Sequence, residues 1–332
     1  MEVIDKSNMR KTILDFPKQF RVGLKAAEGI GIKNLKLKIK NLIICGMGGS
    51  ALPADILEIW LQACKIELPL YIHRNYGLPS HINGKHLIIC ISYSGNTEET
   101  LSAFEEARGK KYKIAAITSG GKLAELCKKY KIPLALIPKG YQPRMALGFQ
   151  FAALMKILAN SGLIKNNLGD ISVLENLLKP KSFENQGKKL AKKLRNKIPL
   201  IYASEKFTAL ARIWKIKFNE NSKTPAFYNY FPELNHNELV GFENDGYPIS
   251  IIILRDVLDR PRIKKRMELT SDILMERGIN VDIIEIVGKD TINKVFSNIL
   301  LADWASYYLA LEYGVDPTPV KLNDEFKKRL AE

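Results

Sequence analysis

Short apolar runs alternate with stretches of helical periodicity along most of this chain. The runs at residues 41–45, 68–73, 86–92, 113–118 and 132–137 are bounded by glycine, proline or asparagine. Helical stretches at 50–64, 98–108 and 122–130 lie between them, and a further one follows at 149–158. An apolar run of five or six residues is long enough for one buried strand. A helix between two such strands joins them in parallel, so the pattern predicts an α/β fold built on a doubly wound parallel sheet. Ligands of such sheets bind beyond the carboxyl ends of the strands.

A second alternation opens at 198–202, runs through a helical stretch at 205–218 and strands at 249–254 and 281–286, and closes on a long apolar helix at 292–313. Residues 164–197, between the two, are polar, lysine-rich and interrupted by Pro180. A chain of 332 residues exceeds what most single cores accommodate. We therefore expect residues 1–160 to form an N-terminal extension plus a first domain, 161–197 a helical connector, and 198–332 a second domain with a C-terminal helix. Two similar orders of strand, turn and helix suggest a pseudo-repeat.

Charge narrows the partners. With 51 Lys and Arg against 35 Asp and Glu the formal charge is +16, a balance that invites anionic partners. The lysines are spread out, however, and the densest cluster, GKKLAKKLRNK at 187–197, reads as the solvated face of one helix. No zinc-finger spacing, helix-turn-helix signature or aromatic RNA-binding strand accompanies it, so no nucleic-acid partner is expected. Cys45, Cys64, Cys90 and Cys127 form no CxxC pair, and those in apolar runs read as buried thiols of a reducing compartment. The first residues, MEVIDKSNMRKTILDF, lack the apolar centre of a signal peptide. No apolar stretch reaches bilayer length, so we expect a cytoplasmic protein with no membrane partner.

Two turns carry chemistry. ISYSGNTEET at 91–100 follows an apolar run and crowds hydroxyls, glycine and asparagine before a helix. Asn96 with Glu99 three residues later is expected to cap that helix, leaving the N–H groups of its first turn facing an anion. Ser92, Ser94 and Thr97 add hydroxyl donors, and Gly95 allows close backbone approach; a serine-rich turn with an ordinary cap is the plainer alternative. The first apolar run enters Gly46-Met47-Gly48-Gly49-Ser50-Ala51, which fits the dinucleotide template GxGxxA. That template requires an acidic residue at the end of the next strand. His73-Arg74-Asn75 stands there instead, so the turn is expected to approach a sugar or phosphate through Gly48, Gly49 and Ser50, without a nicotinamide cofactor.

GMGGSALPAD (46–55), SYSGNTEET (92–100), PRMALG (143–148), NENSKTPAFYNYFPELNHNELVGFE (219–243) and DPTPV (316–320) together resemble the bifunctional phosphoglucose/phosphomannose isomerases. The motifs occur in order across nearly the whole chain. The resemblance implies two sugar isomerase (SIS) domains, each a Rossmann-like three-layer α/β/α sandwich with a mainly parallel sheet. It implies interconversion of glucose 6-phosphate and mannose 6-phosphate with fructose 6-phosphate through a cis-enediolate, no cofactor, and a homodimer with sites at the subunit interface.

Aldose–ketose isomerisation needs a base that moves a proton between C1 and C2, a group that opens the ring and cations for the enediolate. Glu220 is the candidate base. It follows a helical stretch with Phe207, Leu210 and Trp214 on one face, so it lies near a helix C-terminus, where the dipole disfavours negative charge; a surface glutamate in a loop is the alternative. His236 matches the family's ring-opening histidine, supplied by the neighbouring subunit, while His73, His81 and His86 read as structural or surface residues. Arg144 matches the arginine that stabilises the enediolate, and a solvent-facing arginine at a helix start is its alternative. Lys327 is the best match to a lysine near the ring oxygen, with Lys321 and Lys328 close beside it. His73, His81 and His86 have no metal-ligand spacing, so metal-independent catalysis is expected. A non-catalytic sugar-phosphate-binding SIS protein is the competing class; a glucosamine-phosphate-forming domain would need a glutaminase partner.

Overall fold

A computed structural model describes every residue except 1–3, 33–38, 40, 81, 83, 166–167, 245 and 331–332; His81 lies outside the described residues. The chain forms two compact units. One, here the five-stranded unit, comprises Asp15–Leu178 with Lys289–Asn293; the other, the four-stranded unit, comprises Met1–Leu14, Lys179–Gly288 and Lys294–Glu332. Among the described residues no helix is long and apolar enough to cross a membrane.

The five-stranded unit holds β1 (Asn41–Cys45), β2 (Leu70–His73), β3 (His86–Ile91), β4 (Lys113–Thr118) and β5 (Leu134–Leu136), in the order β2-β1-β3-β4-β5. Every pairing is parallel. All six residues of β3 are buried, and because successive side chains point to opposite faces, helices must cover both. Ile43, Cys45, Ile88, Cys90, Ile114 and Ala116 pack on one face with Phe104, Ala107, Leu123 and Cys127, from the helices Glu98–Gly109 and Gly121–Tyr130. Leu42, Ile44, Leu87, Ile89, Ala115 and Ile117 alternate with them and are fully buried as well. The apolar helix Leu147–Asn160 lies against β4. Cys45, Cys90 and Cys127 are core thiols, while Cys64 is exposed. Burial pushes the Cys127 thiol up to about 12, so it stays neutral and behaves as a small apolar residue.

The four-stranded unit holds β6 (Ile198–Ser204), β7 (Phe227–Phe231), β8 (Ile249–Arg255) and β9 (Asn280–Glu285), in the order β7-β6-β8-β9, again all parallel. Tyr202, Phe231, Ile251 and Ile253 form its core with Met267 and Leu274 of the helix Pro261–Glu276. That helix and β7 add to the elements expected from the periodicity. β7 is an edge strand with Phe227 exposed, so its FYNYF sequence lacks the unbroken apolar run of a strand covered on both faces. Pro180 does not interrupt a helix: it begins Pro180–Leu194, where the missing N–H is unneeded.

The two sheets share one strand order, with the strand after the first lying to one side and the next strand to the other. This is a topological switch point, between β1 and β3 in one unit and between β6 and β8 in the other. The turns there are built alike. Ser92 lies two residues beyond Cys90, the register partner of Cys45, and its carbonyl accepts the Gly95 N–H at 3.1 Å. Asp256 lies two residues beyond Leu254, the partner of Ala203, and its carbonyl accepts the Asp259 N–H at 2.9 Å.

Candidate active site

In the five-stranded unit, Ser92 is buried, Thr97 half-buried and Ser94 exposed. The Ser92 hydroxyl donates to Thr97 Oγ1 at 2.9 Å and accepts the Gly95 N–H at 3.1 Å. With that proton committed, Thr97 keeps its own for an incoming acceptor. The helix begins at Glu98 with Thr97 as its extended cap, so the first N–H groups of Glu98–Gly109 have no acceptor within the helix. The expected Asn96–Glu99 capping pair does not form. Asn96 lies one residue too early, and its Oδ1 accepts the Lys122 N–H at 3.0 Å, serving the first turn of Gly121–Tyr130 instead. Gly95 adopts φ +75°, a conformation that suits glycine.

Tyr93, which lies within the 91–100 motif but is assigned no role by it, ties three loops together. Its N–H donates to Ser50 Oγ at 2.9 Å, its carbonyl accepts the Ser119 hydroxyl at 2.7 Å, and its own hydroxyl donates to the Pro138 carbonyl at 2.9 Å while accepting the Tyr141 N–H. Burial pushes its phenol up, which keeps that donor protonated. The turn Gly48–Ser50 is thereby fixed against the Ser92 turn, with Gly48 exposed and Gly49 and Ser50 buried. A Cβ on Gly49 would lie 2.5 Å from the Arg144 backbone nitrogen and 2.8 Å from the Pro143 carbonyl carbon. Glycine is therefore required there for contact, not for its dihedral freedom.

Arg144 is fully buried, which excludes the solvent-facing alternative. It sits in the short turn Pro143–Met145 just before the helix Leu147–Asn160. Two glutamines hold this turn. Gln19 donates to the Met145 carbonyl at 2.7 Å and accepts the Gly148 N–H at 3.0 Å, and Gln150 donates to the Pro143 carbonyl at 3.1 Å. Arg74, standing where the dinucleotide template wants an acid, pairs with buried Asp55 at 2.5 Å.

The four-stranded unit carries the other candidates. Phe207, Leu210 and Trp214 are buried as their spacing required. The helix Thr208–Lys217 runs into a π-helical turn, Phe218–Ser222, which contains half-buried Glu220. Such turns widen a helix by one residue and recur at functional sites. Asn219 accepts the Ala226 N–H at 2.9 Å, Asn221 donates to Ser306 Oγ at 2.9 Å, and Lys223 Nζ donates to the Glu220 carbonyl at 2.5 Å and to the Pro317 carbonyl at 3.1 Å. NENSK and DPTPV, nearly a hundred residues apart, thus meet at Lys223. His236 is exposed on the short helical turn Leu234–Asn237. Lys321, Lys327 and Lys328 lie on Lys321–Leu330, whose every residue is exposed, so burial does not single out one of them.

His73 and His86 are buried at 8% and 2% exposure, the first near the Tyr76 carbonyl and the second edge-on to Tyr112. Among the described residues, no group of three or more His, Cys, Asp or Glu side chains is placed to hold a metal.

A family model described as the bacterial phospho-glucose isomerase C-terminal SIS domain matches residues 183–330, and one for the SIS domain matches 37–155. A bifunctional phosphoglucose/phosphomannose isomerase of Caldicellulosiruptor bescii is 39% identical, over 98% of this chain and 99% of that protein. A second such protein, from Aquifex aeolicus, is 37% identical over 88% and 90% of the two. The solved C-terminal domain of glucosamine-fructose-6-phosphate aminotransferase from Francisella tularensis superposes with a TM-score of 0.75 at 16% identity, covering 94% of this chain and 98% of that one. At that identity the likeness speaks for the fold alone. Two parallel sheets with matching switch points, matched by two SIS-domain models and by full-length relatives, lead to one conclusion: the chain belongs to the bifunctional phosphoglucose/phosphomannose isomerase family.

Proposed function

We propose that this protein is a metal-independent aldose–ketose isomerase that interconverts glucose 6-phosphate and mannose 6-phosphate with fructose 6-phosphate. The observation that carries this reading is the 39% identity to a bifunctional isomerase over essentially the full length of both chains. In this proposal the Ser92, Ser94 and Thr97 hydroxyls and the first N–H groups of the following helix bind the 6-phosphate, and Gly48, Gly49 and Ser50 approach the sugar hydroxyls. Anchoring the far end of the substrate positions C1 and C2 for reaction.

His236 of a second copy, with Lys327 near the ring oxygen, relays the proton of the C1 hydroxyl to the ring oxygen as the bond between C1 and that oxygen breaks, which opens the ring to the aldehyde. Glu220 then takes the proton from C2 of the open aldose. The C2–H electron pair becomes the C1–C2 double bond as the C1–O1 π pair moves onto O1, giving a cis-enediolate whose charge O1 shares with O2 through the O2 hydroxyl proton, beside the Arg144 guanidinium. Return of the proton to C1, with transfer of a hydroxyl proton from O2 to O1, gives the ketose. C2 is planar in the enediolate, so both epimeric aldoses converge on one intermediate. We place the enzyme in the cytoplasm as a homodimer, with residues 1–160 as an N-terminal extension plus the first SIS domain, 161–197 as a helical connector and 198–332 as the second SIS domain with its C-terminal helix.

Replacing Glu220 by Gln keeps the size of the side chain and removes the base. The variant is expected to fold normally and lose about 10²–10⁴-fold in kcat in a coupled assay for fructose 6-phosphate, with wild-type activity insensitive to a chelator. Near wild-type turnover in the folded variant removes Glu220 from the mechanism. Tight fructose 6-phosphate binding by the wild type without turnover makes the protein a sensor, and activity lost to chelation and restored by zinc overturns metal independence.

A further inference from the structure

The turn that carries His236 is held on both sides. Leu234 is buried in the core of the four-stranded unit. Asn235 donates to Thr270 Oγ1 at 2.8 Å and accepts from Arg266 at 3.2 Å, both on Pro261–Glu276. On the other side, the two oxygens of the Glu238 carboxylate accept from the Tyr202 hydroxyl on β6 and the Asn229 amide on β7. At 100° per residue, positions 234, 235 and 238 fall on one side of a helical turn and 236 on the opposite side. Exposure follows the same division, with His236 and Asn237 exposed and Glu238 half-buried.

We infer that Glu238 is a positioning residue for His236. Tyr202 is 1% exposed, and a buried hydroxyl requires an acceptor. The carboxylate supplies one, and its second oxygen reaches the neighbouring strand. Two charge-assisted bonds to two adjacent strands fix both the position and the rotation of the turn, so the imidazole is presented outward from a rigid support. A catalytic side chain held this way loses little activity to misorientation, and a displacement of about 1 Å costs on the order of a hundredfold. Glu238 thus acts through His236 and touches no reacting atom.

The inference rests on the ring-opening role proposed for His236, and the test separates the two. Fructose 6-phosphate must open its ring, whereas 5-deoxyfructose 6-phosphate lacks the oxygen that closes it. Glu238→Ala in the full-length protein is expected to lower kcat on fructose 6-phosphate at least tenfold and to leave turnover of the open-chain analogue within twofold. Glu238→Gln, which keeps an acceptor and a donor at the same place, is expected to recover most of the loss. Tyr202→Phe removes one bond and no bulk, and gives the same discrimination at smaller size should Glu238→Ala fail to fold. Equal losses on the two substrates in the folded variants, or no loss on either, overturn the inference. His236→Ala is the control: if it fails to discriminate between the substrates, the ring-opening role itself is wrong.

Discussion

At the residue scale, contact distances decide what the site tolerates. Gly49 approaches Pro143 and Arg144 backbone to backbone, so a methyl group there has no flexible neighbour to push aside. Gly49→Ala is expected to destabilise the protein by about 1–3 kcal/mol through overpacking. It is also expected to displace the Arg144 turn, raising KM for fructose 6-phosphate and lowering kcat. Urea melts and steady-state kinetics on one preparation check both, and unchanged kinetics would detach Gly49 from the site. The sequence named Gly49, Ser50, Ser92, Thr97 and Arg144, but not Tyr93, Gln19 or Gln150. Tyr93 and Gln19 work through hydrogen bonds to loops 26 to 129 residues away, while Gln150 bonds locally to Pro143 from a position that no motif marks. No local spacing encodes such long-range bonds.

At the scale of the element, the two switch-point turns diverge in what fills them. Ser92 carries a hydroxyl at the first. At the second, fully buried Asp256 carries a carboxylate paired with Lys294 at 2.6 Å and Lys206 at 3.3 Å, and Oδ1 also accepts the Leu258 N–H at 3.3 Å. The chain's own anion occupies this turn. Burial opposes the Asp256 charge, but Lys294, the Leu258 N–H and Lys206 outweigh it and hold the carboxyl below its ordinary value. Stability from a depressed carboxyl is fully present above the unfolded value of about 3.9 and is lost as pH falls through the lower folded value. Asp256→Asn strands buried Lys294 and is expected to cost about 3–5 kcal/mol at neutral pH. Thermal melts from pH 7 to pH 2 should then show a lower midpoint for the variant and a shallower acid decline. Parallel profiles for the two proteins would assign the acid loss elsewhere.

For the whole molecule, the proposal that His236 serves a second copy while Glu220 serves its own makes a specific statement about mixtures. Glu220→Gln and His236→Ala homodimers each lack one function at every site. A heterodimer of the two has one site missing both and one site intact. Random re-pairing of equal amounts makes half the dimers mixed, so activity should recover to about a quarter of wild type. Recovery after mixing and re-pairing, followed with light scattering, checks it. No recovery in verified heterodimers places both groups in one chain.

The sequence by itself determined the two parallel sheets, most strand positions and the buried face of Thr208–Lys217, because apolar periodicity is read out locally wherever a side chain must leave water. It also pointed to the Ser92 turn and to Glu220 near a helix end. Only the tertiary structure decided that Asn96 serves the neighbouring helix, that Glu220 sits in a π-helical turn tied to DPTPV, that Arg144 is buried, and that Glu238 holds the histidine turn to two strands. Each of these depends on which distant polar group is closest once the chain has folded. Hydrogen bonds act over about 3 Å, and that proximity is a property of the assembled loops rather than of any stretch of residues.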